Sequence, residues 1–160
     1  RAEDDPLIIA HAPTDPSNCN TDEFIQVASS LGAVYEFMHN IPREQVWERK
    51  KRCNAGFDHL RGCFSVNTLE NCSFGLAPLV GVKRLYIDTL DQEIGPPPNL
   101  SLGVLFPIET LSGLERYMLQ LDSDPALHLQ MQKAAVSWIK TRWNKRVLGD
   151  LLEKRYKEVL

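Results

Sequence analysis

The stretch Asn54-Ala-Gly-Phe-Asp58, followed after a turn by Ser65-Val-Asn-Thr-Leu-Glu-Asn-Cys-Ser-Phe-Gly75 and then by Pro78-Leu-Val-Gly-Val82, decides the fold. The two outer segments are short and apolar without alternation, which is typical of strands buried on both faces. Between them, Ser65 is a good helix cap, the apolar residues fall on one helical face, and Gly75 ends the helix. The stretch therefore predicts a strand, a helix and a second strand, which together form a unit of a parallel sheet.

The same alternation precedes this unit in the chain. Residues 7–10 form a short apolar run, Thr21 caps a helix that Gly32 ends, and residues 33–38 form a second strand. Pro42 begins a helix that ends in Arg49-Lys-Lys-Arg52, where positive charge suits the negative end of the helix dipole.

The C-terminal part is predicted to be mostly helical. We expect an edge strand at 85–87, a last strand at 100–106, and helices over 109–121, 125–142 and 145–160. The whole pattern predicts one α/β domain over residues 1–160, a Rossmann-like doubly wound parallel sheet with helices on both faces. Residues 1–6 are expected to be a linker or a disordered start.

The composition argues for a single soluble domain and against several classes of partner and site. With 43% hydrophobic and 24% charged residues among 160, the chain has the make-up of one soluble domain. A net charge of −3 disfavours nucleic acid as the partner. The four cysteines form no C-x-x-C pair and the N-terminus does not resemble a signal peptide, so we expect reduced thiols in the cytoplasm. Cys53, His59, Cys63 and Cys72 lack the regular spacing of metal ligands, and no metal site is predicted.

In a doubly wound sheet, ligands bind at the carboxyl ends of the strands, where helix N-termini supply free N–H groups. The loops to consider are 11–20, 59–65 and 82–84, and none contains the G-x-G-x-x-G of dinucleotide-dependent dehydrogenases. In the second loop, the N–H groups of Ser65, Val66 and Asn67 could hold phosphate oxygens. The Glu70 carboxylate, one turn further, could accept hydrogen bonds from two vicinal hydroxyls.

This segment resembles the donor-site motif of the group-one retaining glycosyltransferases with the GT-B fold, in which a glycine-rich turn runs into L-E-A-M-A-x-G-x-P-V. Residues 69–80 follow that frame with one extra residue between the Gly and the Pro. Ile9-Ala-His-Ala-Pro-Thr-Asp-Pro16 is similar to the H-A-P-x-x-P segment of one bacterial branch, and Asp58-His-Leu60 to its D-Q-L. Ile41-Pro-Arg-Glu-Gln45 and Asp124-Pro-Ala-Leu-His128 are similar to its V-P-H-E-E and D-P-E-L-R segments. The likeness extends over nearly everything from residue 7 onward.

The resemblance implies a donor domain that binds a nucleotide diphosphate-sugar for transfer to a glycan or a lipid-linked acceptor. Glu70 would bind the ribose, and the backbone near Ile41 would meet the base. The turn and helix start would meet the pyrophosphate and the sugar through Phe64, Ser65, Val66, Asn67 and Thr68. Further candidates at the strand ends are His11, Thr14, Asp58, His59 and Arg61. The resemblance implies no cofactor and no obligatory metal, and it assigns no catalytic residue in this chain.

Two departures from the family pattern concern the diphosphate. Gly62 stands where many members carry a second glutamate, and Cys19 replaces the phosphate-binding lysine of the K-G-T segment. Losing a charge-assisted contact costs about 1.5–3 kcal/mol of binding free energy. Arg61, Lys83 or Arg84 could substitute for that lysine. A second hypothesis is therefore a transferase-like module with a decayed site, which serves as a scaffold or a protein-interaction domain.

The expected partners follow from the same resemblance. A complete enzyme of this class needs an N-terminal acceptor-binding domain, in the same chain or another, on which the terminal helix 143–160 would pack. The basic stretch 140–146 contains Trp143 and is either a solvated helix face or a contact with a membrane surface, which would make the protein peripheral. His39 and His128 are expected at the surface.

Overall fold

The computed structural model describes residues 6–94, 104, 105, 108–146, 149, 153 and 157, which form strands alternating with helices. The elements are β1 (Ile8–His11), α1 (Thr21–Ser30), β2 (Val34–Phe37), α2 (Arg43–Lys50), β3 (Ala55–Phe57), α3 (Val66–Ser73), β4 (Ala77–Leu79), α4 (Arg84–Ile94), α5 (Leu111–Ser123) and α6 (Pro125–Arg142).

The four strands of the described residues form one sheet in the order β2-β1-β3-β4, and every neighbouring pair is parallel. Ile9, at the centre of β1, lies opposite Tyr35 of β2 and Ala55 of β3. Parallel strands need helical crossovers, and α1, α2 and α3 provide them. The predicted α/β class with a Rossmann-like parallel sheet is confirmed.

Helices cover both faces of this sheet. On one face, Ile9, Phe57 and Leu79 share a buried core with side chains of α1 and α5, including Phe24 and Met118. On the other face, Ala10 packs in a smaller cluster with Met38 and Cys53, bordered by Val46 of α2. Alternate residues of β1 therefore face opposite helical layers, which explains why its sequence is apolar throughout.

Helix α3 approaches the sheet closely because position 56 is glycine. A Cβ atom at Gly56 would lie 2.5 Å from the side-chain Cγ of Asn71 on α3, a distance that real side chains do not tolerate. The close approach brings the first turn of α3 beside the carboxyl ends of β1 and β3.

The structure corrects two predicted strands. Residues 85–87 are not an edge strand but belong to α4, in which Ile87 is buried while Leu85 and Tyr86 are exposed. Three apolar residues in a row fit a strand or a helix, and burial of Ile87 beside Val82 and Trp138 selects the helix here. In the predicted strand 100–106, the structure describes Val104 and Leu105, and neither lies in a strand. The rest of that strand lies outside the described residues.

Smaller differences concern helix starts and one histidine. Thr21 is the first residue of α1 rather than its cap, because Asn20 takes the cap position in a left-handed conformation. Helix α5 begins at Leu111, where the Thr110 hydroxyl accepts the Gly113 N–H at 3.1 Å. His128 is buried rather than at the surface, and its Nε2 lies 2.8 Å from the Asn54 carbonyl oxygen.

The ends of the chain are described only in part. Of the helix predicted over 145–160, residues 145, 146, 149, 153 and 157 are described and are helical. The remainder of that helix and residues 1–5 of the predicted linker lie outside the described residues.

Candidate functional site

A cleft of about 540 Å³ opens at the carboxyl ends of β1 and β2. Its walls come from the loops after these two strands and from the facing sides of α2 and α3. The strand order reverses between β1 and β3, and the loop after β1 and residues of α3, which follows β3, both line this cleft, so it lies where ligands bind in doubly wound sheets. The lining residues are Ala12, Pro13, Thr14, Met38, His39, Asn40, Ile41, Arg43, Val46, Val66, Asn67 and Glu70.

Glu70 is the acid of this cleft, and its side chain is 23% exposed. Oε1 accepts a hydrogen bond from Trp47 Nε1 at 2.9 Å, and Oε2 accepts one from Lys50 Nζ at 2.5 Å. The Arg43 guanidinium lies 3.7 Å from Oε1. Burial raises the pKa of the Glu70 carboxyl, but the bonds from Lys50 and Trp47 and the nearby charges outweigh burial and lower the pKa overall. The carboxylate is therefore ionised at neutral pH.

Lys50 lies behind Glu70, with no part of its side chain exposed to solvent. Its ammonium also donates to Asn67 Oδ1 at 2.8 Å. Burial lowers the pKa of Lys50, although the hydrogen bond and charge of Glu70 oppose that shift. Lys50 was not among the predicted site residues, because the basic run at 49–52 was interpreted as charge that complements the helix dipole. The available signal was spacing, since Lys50 follows Val46 by four residues and so shares its inward face.

The first turn of α3 binds the side chain of Asp58, an acidic residue of the same chain. Asp58 Oδ2 accepts the Ser65 N–H at 3.1 Å, the Ser65 hydroxyl at 2.6 Å and the Thr68 hydroxyl at 2.5 Å. The Ser65 hydroxyl in turn accepts the Asn67 N–H at 3.0 Å, which confirms the predicted cap. The buried Asp58 carboxylate thus complements the positive end of the helix dipole.

The predicted site residues divide into two groups. Those that line the cleft are Thr14, Ile41, Val66, Asn67 and Glu70. Val66 is 81% exposed at the mouth. The remaining candidates do not line it, and three of them, Asp58, Ser65 and Thr68, form the network at the start of α3.

The other candidates outside the cleft have separate positions. His11 is fully buried, and its Nε2 lies 2.9 Å from the Thr21 hydroxyl. His59 is buried, with Nδ1 accepting the Arg61 N–H at 3.3 Å. Phe64 packs against the rings of Tyr86, Trp138 and Trp143, which directs it toward α4 and α6.

Three cations could replace the phosphate-binding lysine of the family motif, and they differ in position and in the groups that they contact. The Arg61 guanidinium donates to Asn18 Oδ1 at 2.6 Å, beside Cys19. The Lys83 side chain lies over Gly62. Arg84 pairs with Asp88 at 2.9 Å on α4. Arg61 is therefore the candidate held nearest to the position of the missing cation.

Other cleft residues were not predicted from the sequence, because their roles depend on packing. The Arg43 guanidinium stacks on the Trp47 ring at 4.7 Å, and both contact the Glu70 carboxylate. His39 and Asn40 enter the cleft from the loop after β2. Only tertiary structure brings this loop to α3, so no sequence spacing connects it with Glu70.

Comparisons with family models, curated proteins and solved structures find no match to this chain. Among the described residues, no cluster of His, Cys, Asp or Glu side chains could hold a metal ion. None of the described helices is both long enough and apolar enough to cross a bilayer.

Proposed function

We propose that this chain is the nucleotide-sugar-binding domain of a retaining glycosyltransferase. The observation that carries the proposal is the ionised Glu70 carboxylate in a cleft at the carboxyl end of the sheet, one turn into α3. A carboxylate in this position accepts hydrogen bonds from two vicinal hydroxyls, as a ribose presents them. The motif resemblance assigns that role to the same residue.

The rest of the cleft suits a nucleoside. Met38, Ile41 and Val46 offer an apolar surface to a base, while Asn67 and Glu70 are polar groups for the ribose. Arg43 and Arg61 would attract the diphosphate electrostatically. The transferase would break the bond between the sugar and the diphosphate and attach the sugar to an acceptor hydroxyl with retained configuration. A partner domain would hold the acceptor, and we place this activity in the cytoplasm or at the membrane surface.

A second candidate function is supported by the start of α3. Asp58 there accepts the Ser65 N–H, the Ser65 hydroxyl accepts the Asn67 N–H, and both N–H groups are donors that a phosphate would need, while Cys19 supplies no positive charge nearby. Burial and the charge of Asp58 raise the pKa of the Cys19 thiol. A module with a decayed donor site that acts as a scaffold fits these observations.

Titration calorimetry separates the two candidates. We expect uridine, guanosine, adenosine or cytidine diphosphate to bind the protein, and Glu70→Gln to weaken the tightest of them at least tenfold, which is about 1.4 kcal/mol. Glutamine still accepts the Lys50 bond but cannot offer two anionic oxygens to hydroxyls.

Glu115→Gln is the matched control, because it removes the same charge from an exposed position on α5 and should leave the affinity unchanged. If none of the four diphosphates binds at millimolar concentration, the donor-binding proposal is wrong and the scaffold candidate takes its place.

A further inference from the structure

Lys50 is an unusual residue for its surroundings. Its side chain is fully buried at the end of α2, where an apolar side chain of similar length would fill the same space. An ammonium in such a place loses its hydration, which is unfavourable unless partners compensate. Here both compensating partners, Asn67 and Glu70, line the cleft.

The donors around Glu70 come from one face of α2. Arg43, Trp47 and Lys50 are spaced by four and three residues, and all three approach the carboxylate that α3 presents. Trp47 and Lys50 bind different oxygens of this carboxylate. Each oxygen can accept a further hydrogen bond. Trp47 and Lys50 therefore hold the carboxylate in place, and its oxygens can still accept hydrogen bonds from a ligand in the cleft.

The ammonium also determines the orientation of the Asn67 amide. An ammonium can only donate, so the amide atom that contacts Lys50 must be the oxygen. The amide nitrogen is then a donor, and one of its two N–H groups is directed to the Phe57 carbonyl at 3.5 Å. A donor from Asn67 and two acceptors from Glu70 therefore border the same cleft.

We propose that Lys50 is a positioning residue that fixes Glu70 and Asn67 to bind a vicinal diol, the ribose 2′- and 3′-hydroxyls of a ribonucleotide. The two hydroxyls donate to the carboxylate oxygens of Glu70, and one hydroxyl oxygen accepts an N–H of Asn67. This inference rests on the proposed nucleotide binding and adds the residue that makes the site selective for ribose.

The test compares ribonucleotides with their 2′-deoxy counterparts. Affinities of uridine, guanosine, adenosine and cytidine diphosphates and of the four 2′-deoxynucleoside diphosphates are measured on wild type and on Lys50→Met. Wild type should prefer the ribose form at least tenfold. In Lys50→Met that ratio should fall toward one, through weaker binding of the ribose form, because the carboxylate is no longer held.

Lys51→Met is the matched control. Lys51 is the next residue, is exposed, and pairs with Glu48 at 2.5 Å away from the cleft. This variant should keep both the affinity and the ribose preference of wild type. A general effect of losing a positive charge near α2 would appear equally in both variants.

A second measurement needs no variant and remains decisive if Lys50→Met does not fold. In wild-type protein with ¹⁵Nζ-labelled lysine, the buried Lys50 ammonium should give a resolved signal that shifts when the ribose form is added. The 2′-deoxy form at equal saturation should shift it much less, because it forms one hydroxyl bond fewer.

The possible failures are distinguishable. Absence of diphosphate binding by wild type removes the proposed function and this inference together. Binding by wild type with an unchanged ribose preference in Lys50→Met, or with a Lys50 signal that does not respond to the ribose form, overturns only the role of Lys50. Tighter binding of the ribose form by Lys50→Met also overturns it, since Lys50 would then be masking Glu70.

Discussion

His11 ends β1 on the face that carries the larger core, and it is surrounded by the rings of Phe24, Phe37 and Phe57. Its Nδ1 lies 3.4 Å from the Phe57 carbonyl oxygen, which can only accept, so Nδ1 carries the proton and Nε2 accepts the Thr21 hydroxyl. Burial lowers the pKa of His11 to about 4, opposed in part by the Phe57 carbonyl and the charge of Asp58. A neutral histidine is thus built into the core.

His11 should make the stability of the protein depend on pH. The unfolded chain takes up a proton near pH 6.5 and the folded chain only near pH 4, so stability is lost as pH falls through this window. We expect the free energy of unfolding to decrease by about 3 kcal/mol between pH 7 and pH 4 from this group. Urea denaturation of wild type and His11→Gln at both pH values measures the difference.

The comparison of the two pH dependences isolates His11, because carboxylates that titrate near pH 4 contribute equally to both proteins and cancel. If His11→Gln loses as much stability as wild type between pH 7 and pH 4, the buried imidazole does not have the role described here.

At the scale of single residues, some members of the site were predicted from the sequence and others were not. Glu70 could be found because its neighbours in the chain form a recognisable frame. Lys50 was missed because the run Arg49-Lys-Lys-Arg52 does not by itself reveal which of its four charges is buried, and only the four-residue spacing from Val46 indicates an inward position. That choice is made by the packing of α2 against α3.

At the scale of elements, local chemistry predicted the unit from β3 to β4 well. Strand β3 and the cap of α3 were predicted because an apolar run and a serine cap act within a few residues. Helix α4 was missed because Leu85-Tyr-Ile87 has no local feature that separates a helix from a strand. Its burial beside α6 is a long-range effect that no short window contains.

The cap of α3 should be a measurable part of the stability. Ser65→Ala removes the acceptor of the Asn67 N–H and one hydroxyl donor to the buried Asp58, so we expect a loss of about 1–2 kcal/mol in the free energy of unfolding. Urea denaturation should show a lower midpoint with an unchanged slope.

Ser73→Ala is the control on the same helix, because its exposed hydroxyl bonds only to the Glu70 carbonyl at 2.7 Å. We expect its effect to stay within about 0.5 kcal/mol. Equal losses in the two variants would show that the network around Asp58 contributes nothing beyond a surface hydroxyl.

At the scale of the whole molecule, distant segments meet where β3 and β4 end. The Gly81 N–H donates to the His59 carbonyl at 2.6 Å, and the Gly81 carbonyl accepts the Gly62 N–H at 2.9 Å. The Ile108 carbonyl, from the segment before α5, lies against the same residue. The sequence predicted a turn after β3 but placed Gly81 within a strand, and it could not show that three backbone segments converge, because the convergence depends on the sheet order and on α5 packing across it.

This convergence leads to a prediction about Gly81→Ala. The new Cβ atom would lie 2.4 Å from Leu60 Cα, 2.8 Å from Leu60 C and 2.9 Å from the Ile108 carbonyl oxygen. All three are backbone atoms, which cannot rotate away as side chains do, so the strands and α5 would have to separate. We expect the melting temperature to fall, with a loss of stability at or above the roughly 1–3 kcal/mol typical of overpacked cores. Gly149→Ala should instead stabilise the protein by up to about 1 kcal/mol, because the position is helical and an added Cβ atom would meet nothing within 4 Å beyond its chain neighbours and its own helix backbone. Thermal unfolding followed by circular dichroism compares the two variants, and a Gly81→Ala protein as stable as wild type would contradict the close convergence of these segments.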